Sequence, residues 1–153
     1  MANVEAGAAQ EFSLEGFLPY QLAVLAEVTS AGFAQIYSER FGLTIPEWRV
    51  LATVAEVPRV RAKEVVAARH LPKTAVSRAV ASLRRRGYMR VEVNRIDRRE
   101  SFLSLTAKGR DLHASLVPLA ERYATALAAR LTPAEQRALH SAFLKLARAP
   151  RGA

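Results

Sequence analysis

The hydrophobic period of this chain changes at Tyr88 from that of helices to that of strands. Two short helical segments, 62–69 and 73–86, precede this point and are joined by a short turn. After it, residues 88–93 and 100–105 alternate polar and apolar side chains on either side of a polar turn. Two short helices joined by a turn predict a helix-turn-helix, and the hairpin that follows makes the pattern a winged one.

Longer amphipathic segments flank this unit. Apolar residues recur at steps of three and four between Phe17 and Glu39, and again after Thr106 and Thr132. Thr44 begins a capping box for a further helix, with Glu47 three residues later. We therefore predict a mainly α fold with a small β-hairpin, in which a winged helix-turn-helix lies between N-terminal and C-terminal helices.

The positive charge is confined to the same central part of the chain. The 153 residues include 23 Lys and Arg against 14 Asp and Glu, a formal net charge of +9. Residues 59–110 hold 12 Arg and 3 Lys against four acidic residues, a net charge of +11, whereas the flanks together carry −2. A genome that prefers Arg codons explains the choice of Arg over Lys but not this clustering. Such a patch indicates a surface that meets phosphates.

The composition also excludes several classes of protein. There is no cysteine, which excludes disulfide frameworks, cysteine nucleophiles and thiol redox sensors. The three histidines are scattered, so we expect no metal site, and no motif predicts a cofactor. We find no glycine-rich phosphate loop and no catalytic pairing of side chains, so we do not expect an enzyme. No apolar run approaches the length of a membrane span, and we expect one domain in the cytoplasm. RNA is a weaker candidate than DNA, because few aromatic residues lie among the basic ones.

The second short helix carries the residues that would read DNA. The side opposite its apolar stripe presents Lys73, Thr74, Ser77 and Arg78. In a helix-turn-helix this helix enters the major groove, where an arginine can bind guanine through two hydrogen bonds. Arg85 belongs to a run of three arginines at the end of the helix. That run is open to a second interpretation, a solvated last turn whose cations suit the helix dipole.

The hairpin tip combines one acid with three arginines: Arg95, Asp97, Arg98 and Arg99. The carboxylate of Asp97 can hold the Arg99 guanidinium in a fixed direction by charge-assisted hydrogen bonds. An arginine aimed in this way suits the narrow and negative minor groove. The alternative is an ordinary turn with surface ion pairs of little energetic value.

At this point the stretch from Leu43 to Gly109 resembles the multiple antibiotic resistance regulator (MarR) family of bacterial transcription factors. The resemblance implies that Ser77 and Arg78 contact the major groove, that Arg99 enters the minor groove, and that Asp97 steadies it. Pro72 and His70 depart from the family pattern, in place of a cap residue and a turn glycine. The matching motifs are Leu43-Thr44 with Glu47-Trp48-Arg49-Val50-Leu51, Thr74-Ala75-Val76-Ser77-Arg78, Arg86-Gly87-Tyr88, Asp97-Arg98-Arg99 and Leu105-Thr106-Ala107-Lys108-Gly109.

The resemblance also implies a domain organisation and a twofold dimer. A disordered tail, 1–12, precedes a single MarR-like domain, 13–153. Within that domain, 44–106 form the winged helix-turn-helix, and 13–43 with 107–149 form dimerisation helices. A twofold dimer predicts a palindromic operator with half-site centres about 10 base pairs apart. The alternative is that the flanking helices bury their apolar stripes within one chain as a small bundle.

Members of the family usually release DNA when a small molecule binds between the dimer helices and the DNA-binding module. The resemblance places six residues of this chain on segments that line that pocket. Aromatic side chains with an arginine suit an aromatic carboxylate or its coenzyme A thioester. The start Phe17-Leu18-Pro19-Tyr20-Gln21-Leu22 also looks like members that control aromatic-acid breakdown. The alternative is that these aromatic residues are core. The six are Tyr20, Phe33, Tyr37, Trp48, Arg49 and Tyr123.

The sequence thus predicts a regulator that binds a specific operator as a homodimer. Such a regulator has a higher affinity for one DNA sequence than for others. The resemblance implies a repressor that an effector releases. The alternative is a sequence-neutral, nucleoid-associated protein that binds any duplex equally through charge alone. The predicted DNA-binding residues are Lys73, Thr74, Ser77, Arg78, Arg85, Arg95, Asp97, Arg98 and Arg99.

Overall fold

The computed structural model describes residues 12–69, 71–94 and 100–148. The predicted tail, except for Phe12, lies outside these ranges, as do His70 and the hairpin tip at 95–99. The helices are α1 (Leu18–Phe41), α2 (Ile45–Glu56), α3 (Ala62–Arg69), α4 (Lys73–Arg85), α5 (Ala107–Ala128) and α6 (Pro133–Leu146). The strands are β1 (Val60–Arg61), β2 (Met89–Val93) and β3 (Ser101–Leu105).

The helices begin where their capping residues predict. The Thr44 hydroxyl accepts the Glu47 N–H at 3.4 Å, and the Glu47 carboxylate accepts the Thr44 N–H at 2.7 Å, which completes the predicted box. Thr132 and Glu135 form the same reciprocal pair before α6. At the start of α5 the Thr106 hydroxyl accepts one backbone N–H. Each cap satisfies amide groups that the first turn of a helix leaves without a partner.

A Schellman motif ends α4 and turns the chain into the hairpin. The Tyr88 N–H donates to Leu83 O at 2.9 Å, and the Gly87 N–H donates to Arg84 O at 2.9 Å. Gly87 has φ +78°, a left-handed conformation that glycine adopts without strain. The predicted end of this helix at Gly87 is therefore confirmed.

The predicted hairpin is confirmed, and the structure adds a third strand to it. The sheet is antiparallel in the order β1-β3-β2, with Val60 opposite Leu103 and Met89 opposite Leu105. The sequence did not predict β1, because a two-residue strand is too short to show an alternating pattern. By joining β3, it connects the start of α3 to the wing.

The core lies between the helix-turn-helix, the sheet and the first half of α5. The α2 helix is central to it and contacts α3, α4, α5 and β3. The completely buried apolar side chains are Val50, Leu51, Val65, Leu83, Leu103 and Leu116.

Outside this core, the flanking helices keep apolar side chains exposed. Val28 on α1 is 64 % exposed and Phe143 on α6 is 47 % exposed. Leu139 and Leu146 complete the stripe on α6, where every residue is exposed. Among the described residues, α6 therefore does not bury its stripe within the chain, whereas α1 packs on α5 and α5 buries Leu112, Leu116 and Leu119.

We expect Glu47→Gln to lower the free energy of unfolding at pH 7 by about 1 kcal/mol, the typical value of a helix cap. Glu47 is only 6 % exposed. Its burial would raise the pKa, but hydrogen bonds from Ser82 and Thr44, with the charge of Arg86, hold the pKa below the ordinary 4.5. Ionised Glu47 therefore stabilises the fold fully at pH values above the ordinary pKa of 4.5. This contribution is lost as the pH falls through the lowered pKa of the folded state.

Urea denaturation between pH 3 and pH 7 measures this effect. The difference between Glu47→Gln and the natural chain should shrink towards the acidic end. Glu121→Gln is the matched control, because Glu121 is exposed on α5 and the same charge is removed. A Glu47→Gln variant as stable as this control at pH 7 would show that the buried carboxylate contributes nothing.

Candidate nucleic-acid interface and aromatic cluster

The predicted DNA-reading side chains lie together on the outer face of α4. Lys73, Thr74, Ser77 and Arg78 are all exposed, as the helical period predicts. The helix begins at Lys73 without a side-chain cap, because proline at position 72 offers no hydroxyl or carboxylate. The opposite face anchors the helix in the core through the buried side chains Val76, Ala79 and Leu83.

The wing is formed by β2 and β3, and its residues Glu100 and Ser101 line one cavity together with Lys73 and Ser77 of α4. Its neck is closed by a hydrogen bond from the Asn94 N–H to Glu100 O at 2.9 Å. The four predicted tip residues lie outside the described residues, so their roles remain predictions. They are Arg95, Asp97, Arg98 and Arg99.

A wing-base cluster of Arg61, Lys63 and Glu100 joins the neck of the wing to the start of α3. The Glu100 carboxylate accepts a hydrogen bond from the Lys63 ammonium and lies 3.6 Å from Arg61 Nε. The Lys63 hydrogen bond, more than the charge of Arg61, holds the pKa of Glu100 below its ordinary value. A cavity of about 430 Å³ lies beside the cluster and is also lined by Lys73 and Ser77. The sequence did not single out this cluster, because Glu100 lies 37 residues after Lys63 along the chain.

The three arginines at the end of α4 differ in their surroundings. Arg84 and Arg85 are exposed, in agreement with either interpretation of the run. The Arg86 side chain is 30 % exposed, and its guanidinium donates to Phe41 O at 2.5 Å and to Gly42 O at 3.1 Å. A solvated last turn is therefore the wrong interpretation for Arg86, which contacts the end of α1.

Four of the six predicted effector residues form an aromatic cluster, defined here as Phe33, Tyr37, Trp48 and Tyr123. The Phe33 ring is central, 5.0 Å from Tyr37, 5.4 Å from Trp48 and 5.5 Å from Tyr123. The Tyr123 hydroxyl donates to Thr29 O at 2.8 Å and so joins α5 to α1. Tyr37 is buried, and Phe33 and Trp48 pack half-buried against the core, which supports a core role for these three rings.

Arg49 lies beside the aromatic cluster, whereas Tyr20 does not. The Arg49 guanidinium donates to Ser30 Oγ at 3.4 Å. Burial raises the pKa of Tyr37, and the charge of Arg49 offsets part of that rise. Tyr20 is 41 % exposed and precedes Phe33 by roughly 20 Å along α1. The structure therefore brings together five of the six predicted residues.

A cavity of about 380 Å³ opens next to the cluster, between α2, β3 and α5. The His113 imidazole borders it and stacks on Trp48 with ring centres 6.4 Å apart. Arg110 contributes a second polar group, and Val54 and Leu105 contribute apolar walls. Neither Arg110 nor His113 was predicted as part of this site, because neither belongs to the motifs recognised in the sequence.

Among residues 12–69, 71–94 and 100–148, no three His, Cys, Asp or Glu side chains are grouped so that they could hold a metal ion. None of the helices described there is both long and apolar enough to cross a bilayer.

Comparison of the sequence with known proteins gives a family and a set of relatives. Residues 41–100 match the MarR family. The transcriptional regulator HosA of Escherichia coli is 28 % identical to this chain over 94 residues, which are 61 % of this chain and 70 % of HosA.

Solved structures share the fold over almost the whole chain. BpsR of Bordetella bronchiseptica, whose DNA binding is regulated by 6-hydroxynicotinic acid, has a TM-score of 0.78 at 24 % identity and covers 91 % of this chain and 99 % of BpsR. PcaV, a transcriptional regulator of Streptomyces coelicolor solved with its natural ligand, has a TM-score of 0.74 at 21 % identity, with 90 % and 96 % covered. The predicted fold class, a winged helix-turn-helix with flanking helices, is confirmed.

Proposed function

We propose that this chain, whose residues 41–100 form a MarR family domain, is a homodimeric repressor that binds a palindromic operator and is released by a small effector. The family domain and the relatives are those of transcriptional regulators and not of enzymes. The observation that carries the proposal is the outer face of α4, where Thr74, Ser77 and Arg78 are exposed over a buried apolar anchor.

This face has the shape and chemistry that the major groove requires. The side chains at 74 and 77 are short, so the helix can approach the base edges closely. Arg78 then reaches guanine O6 and N7 through its planar fork. Lys73 and Arg85 lie at the two ends of the helix, where they can contact phosphates. We expect the arginines of the wing tip to enter the adjacent minor groove.

The exposed stripes of α1 and α6 support a dimer. Apolar side chains such as Val28 and Phe143 are repeated along both helices, and a second copy of the chain carries the complementary stripe. A twofold dimer presents two α4 helices to one face of the duplex, so we expect half-site centres one helical turn, about 10 base pairs, apart.

For the effector we propose an aromatic carboxylate or its coenzyme A thioester. The cavity between α2, β3 and α5 is lined by the cationic Arg110 and the His113 imidazole, and His113 stacks on Trp48 of the aromatic cluster. Such a site can bind a flat ring by stacking and its carboxylate by charge. The ligand of BpsR, 6-hydroxynicotinic acid, has this chemistry.

Selection of duplexes from a random pool tests the DNA-binding part. We expect the selection to recover a palindrome. In competition, random DNA should displace the protein from this palindrome at least about a hundredfold less well than the unlabelled palindrome does. The sequence-neutral alternative predicts equal competition by every duplex. If random DNA competes as well as the recovered palindrome, the alternative is correct.

Trp48 makes the effector testable by fluorescence, because it is the single tryptophan of the chain and belongs to the aromatic cluster. We expect aromatic carboxylates or their thioesters to change its emission and to release the palindrome over the same concentration range. If compounds of both classes leave emission and DNA binding unchanged, the proposed effector class is wrong.

We expect Phe143→Glu to convert the dimer into monomers at micromolar concentration, because it buries a charge in an apolar interface. Sedimentation velocity measures the change, and operator affinity should fall with it since one protomer binds one half-site. Ser141→Glu is the matched control, since Ser141 lies on the same helix away from the apolar stripe. A Phe143→Glu protein that remains dimeric would show that the stripe is not the interface.

We expect Glu100→Gln to strengthen binding to random DNA and to steepen its salt dependence. The substitution removes the partner of Arg61 and Lys63, and each cation freed for a phosphate adds about 0.9 to the slope of log K against log salt. Anisotropy titrations over a range of NaCl concentrations measure the slope. Glu121→Gln removes the same charge from α5, and an equal slope for the two variants would contradict the prediction.

A further inference from the structure

One side chain connects the end of the first long helix to the end of the DNA-reading helix. Arg86 immediately follows α4, and its guanidinium donates to the carbonyl oxygens of Phe41 and Gly42 at the end of α1. Phe41 is the last residue of α1 and Gly42 follows it, so no backbone N–H within the helix can reach either carbonyl. The guanidinium therefore acts as a C-terminal cap supplied from 45 residues away.

The position of Arg86 is fixed by further contacts. Its guanidinium lies 4.0 Å from the buried Glu47 carboxylate and 5.1 Å from the centre of the Tyr88 ring. Glu47 also hydrogen bonds with Ser82 on α4. On the backbone, Arg86 O accepts from the Lys108 ammonium at 3.1 Å. The ends of α1 and α4, the start of α2 and the hairpin are thus joined at one point.

Arginine is suited to this task in a way that lysine is not. A guanidinium is planar and carries five donors in a fixed arrangement, so it can bind two carbonyls and face a carboxylate at once. A lysine ammonium keeps the charge but lacks the rigid fork. The length of the side chain and the direction of its donors together fix how far the two helix ends lie apart.

We propose that Arg86 is a positioning residue that sets the geometry between the two DNA-reading helices of the dimer. The inference rests on the proposed function, in which α1 belongs to the dimer interface and α4 reads a half-site. Because Arg86 holds the end of α4 against the end of α1, it fixes the direction of α4 relative to the twofold axis. The residue contributes in this way to the choice of half-site spacing, without needing to touch a base.

Operators with altered spacing test the proposal. Adding or removing one base pair between half-sites rotates one of them by about 34° and shifts it by about 3.4 Å. We expect the natural dimer to lose at least about tenfold in affinity on these operators, and Arg86→Met and Arg86→Lys to lose less than about threefold. Both variants should bind the original operator more weakly than the natural protein does.

Arg84→Met is the matched control, because it removes the same charge from an exposed position two residues before Arg86. It should weaken binding to all three operators by one common factor and leave their ratio unchanged. Arg86→Lys keeps the charge and the apolar stem, so it also gives a folded protein if Arg86→Met does not fold.

The ratio between spacings separates positioning from stability, since a merely less stable protein binds all three operators less well. If Arg86→Lys keeps the spacing ratio of the natural protein, or if the natural dimer has no spacing preference, the proposal is overturned. A random pool that yields no palindrome contradicts the proposed function instead, and the inference with it.

Discussion

Replacement of Gly109 by alanine is expected to lower the free energy of unfolding by about 3 kcal/mol, the upper part of the range for overpacking. A Cβ at this position would lie 2.0 Å from Tyr88 O and 2.9 Å from Tyr88 C. That carbonyl also accepts the Thr106 N–H at 3.1 Å, so it cannot retreat without losing a hydrogen bond. The clash outweighs the gain of about 1 kcal/mol that alanine normally brings to a helix. Urea denaturation at 25 °C measures the difference.

Gly16→Ala is the matched control for this prediction. A Cβ at Gly16 would meet its nearest neighbour, Ser13 O, at 3.7 Å, which is ordinary contact. The control should remain within about 0.5 kcal/mol of the natural chain. If the two alanine variants are equally stable, α5 does not approach the hairpin as closely as the structure describes.

Replacement of Arg78 by alanine is expected to cost about 1 to 3 kcal/mol at each half-site. Because a dimer carries the change twice, operator affinity should fall by at least about 30-fold. The base preference should relax at one position of each half-site, which selection from a random pool shows directly. Stability should change little, since the side chain is exposed.

Arg122→Ala provides the comparison for Arg78→Ala. Arg122 is exposed on α5, outside the basic segment 59–110, and its removal takes away the same formal charge. A uniform loss caused by net charge would appear in both variants, whereas loss of base reading appears only in Arg78→Ala. If Arg78→Ala binds the operator as tightly as the natural protein does, the outer face of α4 is not the reading surface.

Much of this fold is predictable because its signals are local. The Thr44 and Thr132 boxes mark helix starts within four residues of sequence, and Gly87 marks an end through its backbone conformation. The exposure of Ser77 and Arg78 follows from the helical period once Val76 and Leu83 are assigned to the core. Local chemistry therefore sets both the bounds of α4 and the face it presents.

The unpredicted features depend on contacts between distant parts of the chain. The strand β1 exists because Val60 and Arg61 find β3, and its own two residues carry no pattern. The partners of Arg86 and Glu100 lie on other elements, so the sequence alone does not pair them. Such contacts become visible only when the elements are packed.

The aromatic residues show the same limit in a different form. A stripe on a helix of 24 residues extends over roughly 36 Å, so membership of α1 does not place a ring at one site. Phe33 and Tyr37 lie at the end that faces α2 and α5, whereas Tyr20 lies near the other end. Only the crossing of the helices decides which rings meet.

The capping box of α6 has a consequence for the order of assembly. The helix buries none of its residues within the chain, yet Thr132 and Glu135 hold its first turn, and the Gln136 amide donates to Ala128 O and Leu131 O. These local bonds offset part of the nucleation cost that makes a helix of this length marginal in water. We therefore expect newly made protomers to meet with α6 already wound, so that association proceeds by docking of preformed helices and its rate follows diffusion and orientation instead of a slow folding step.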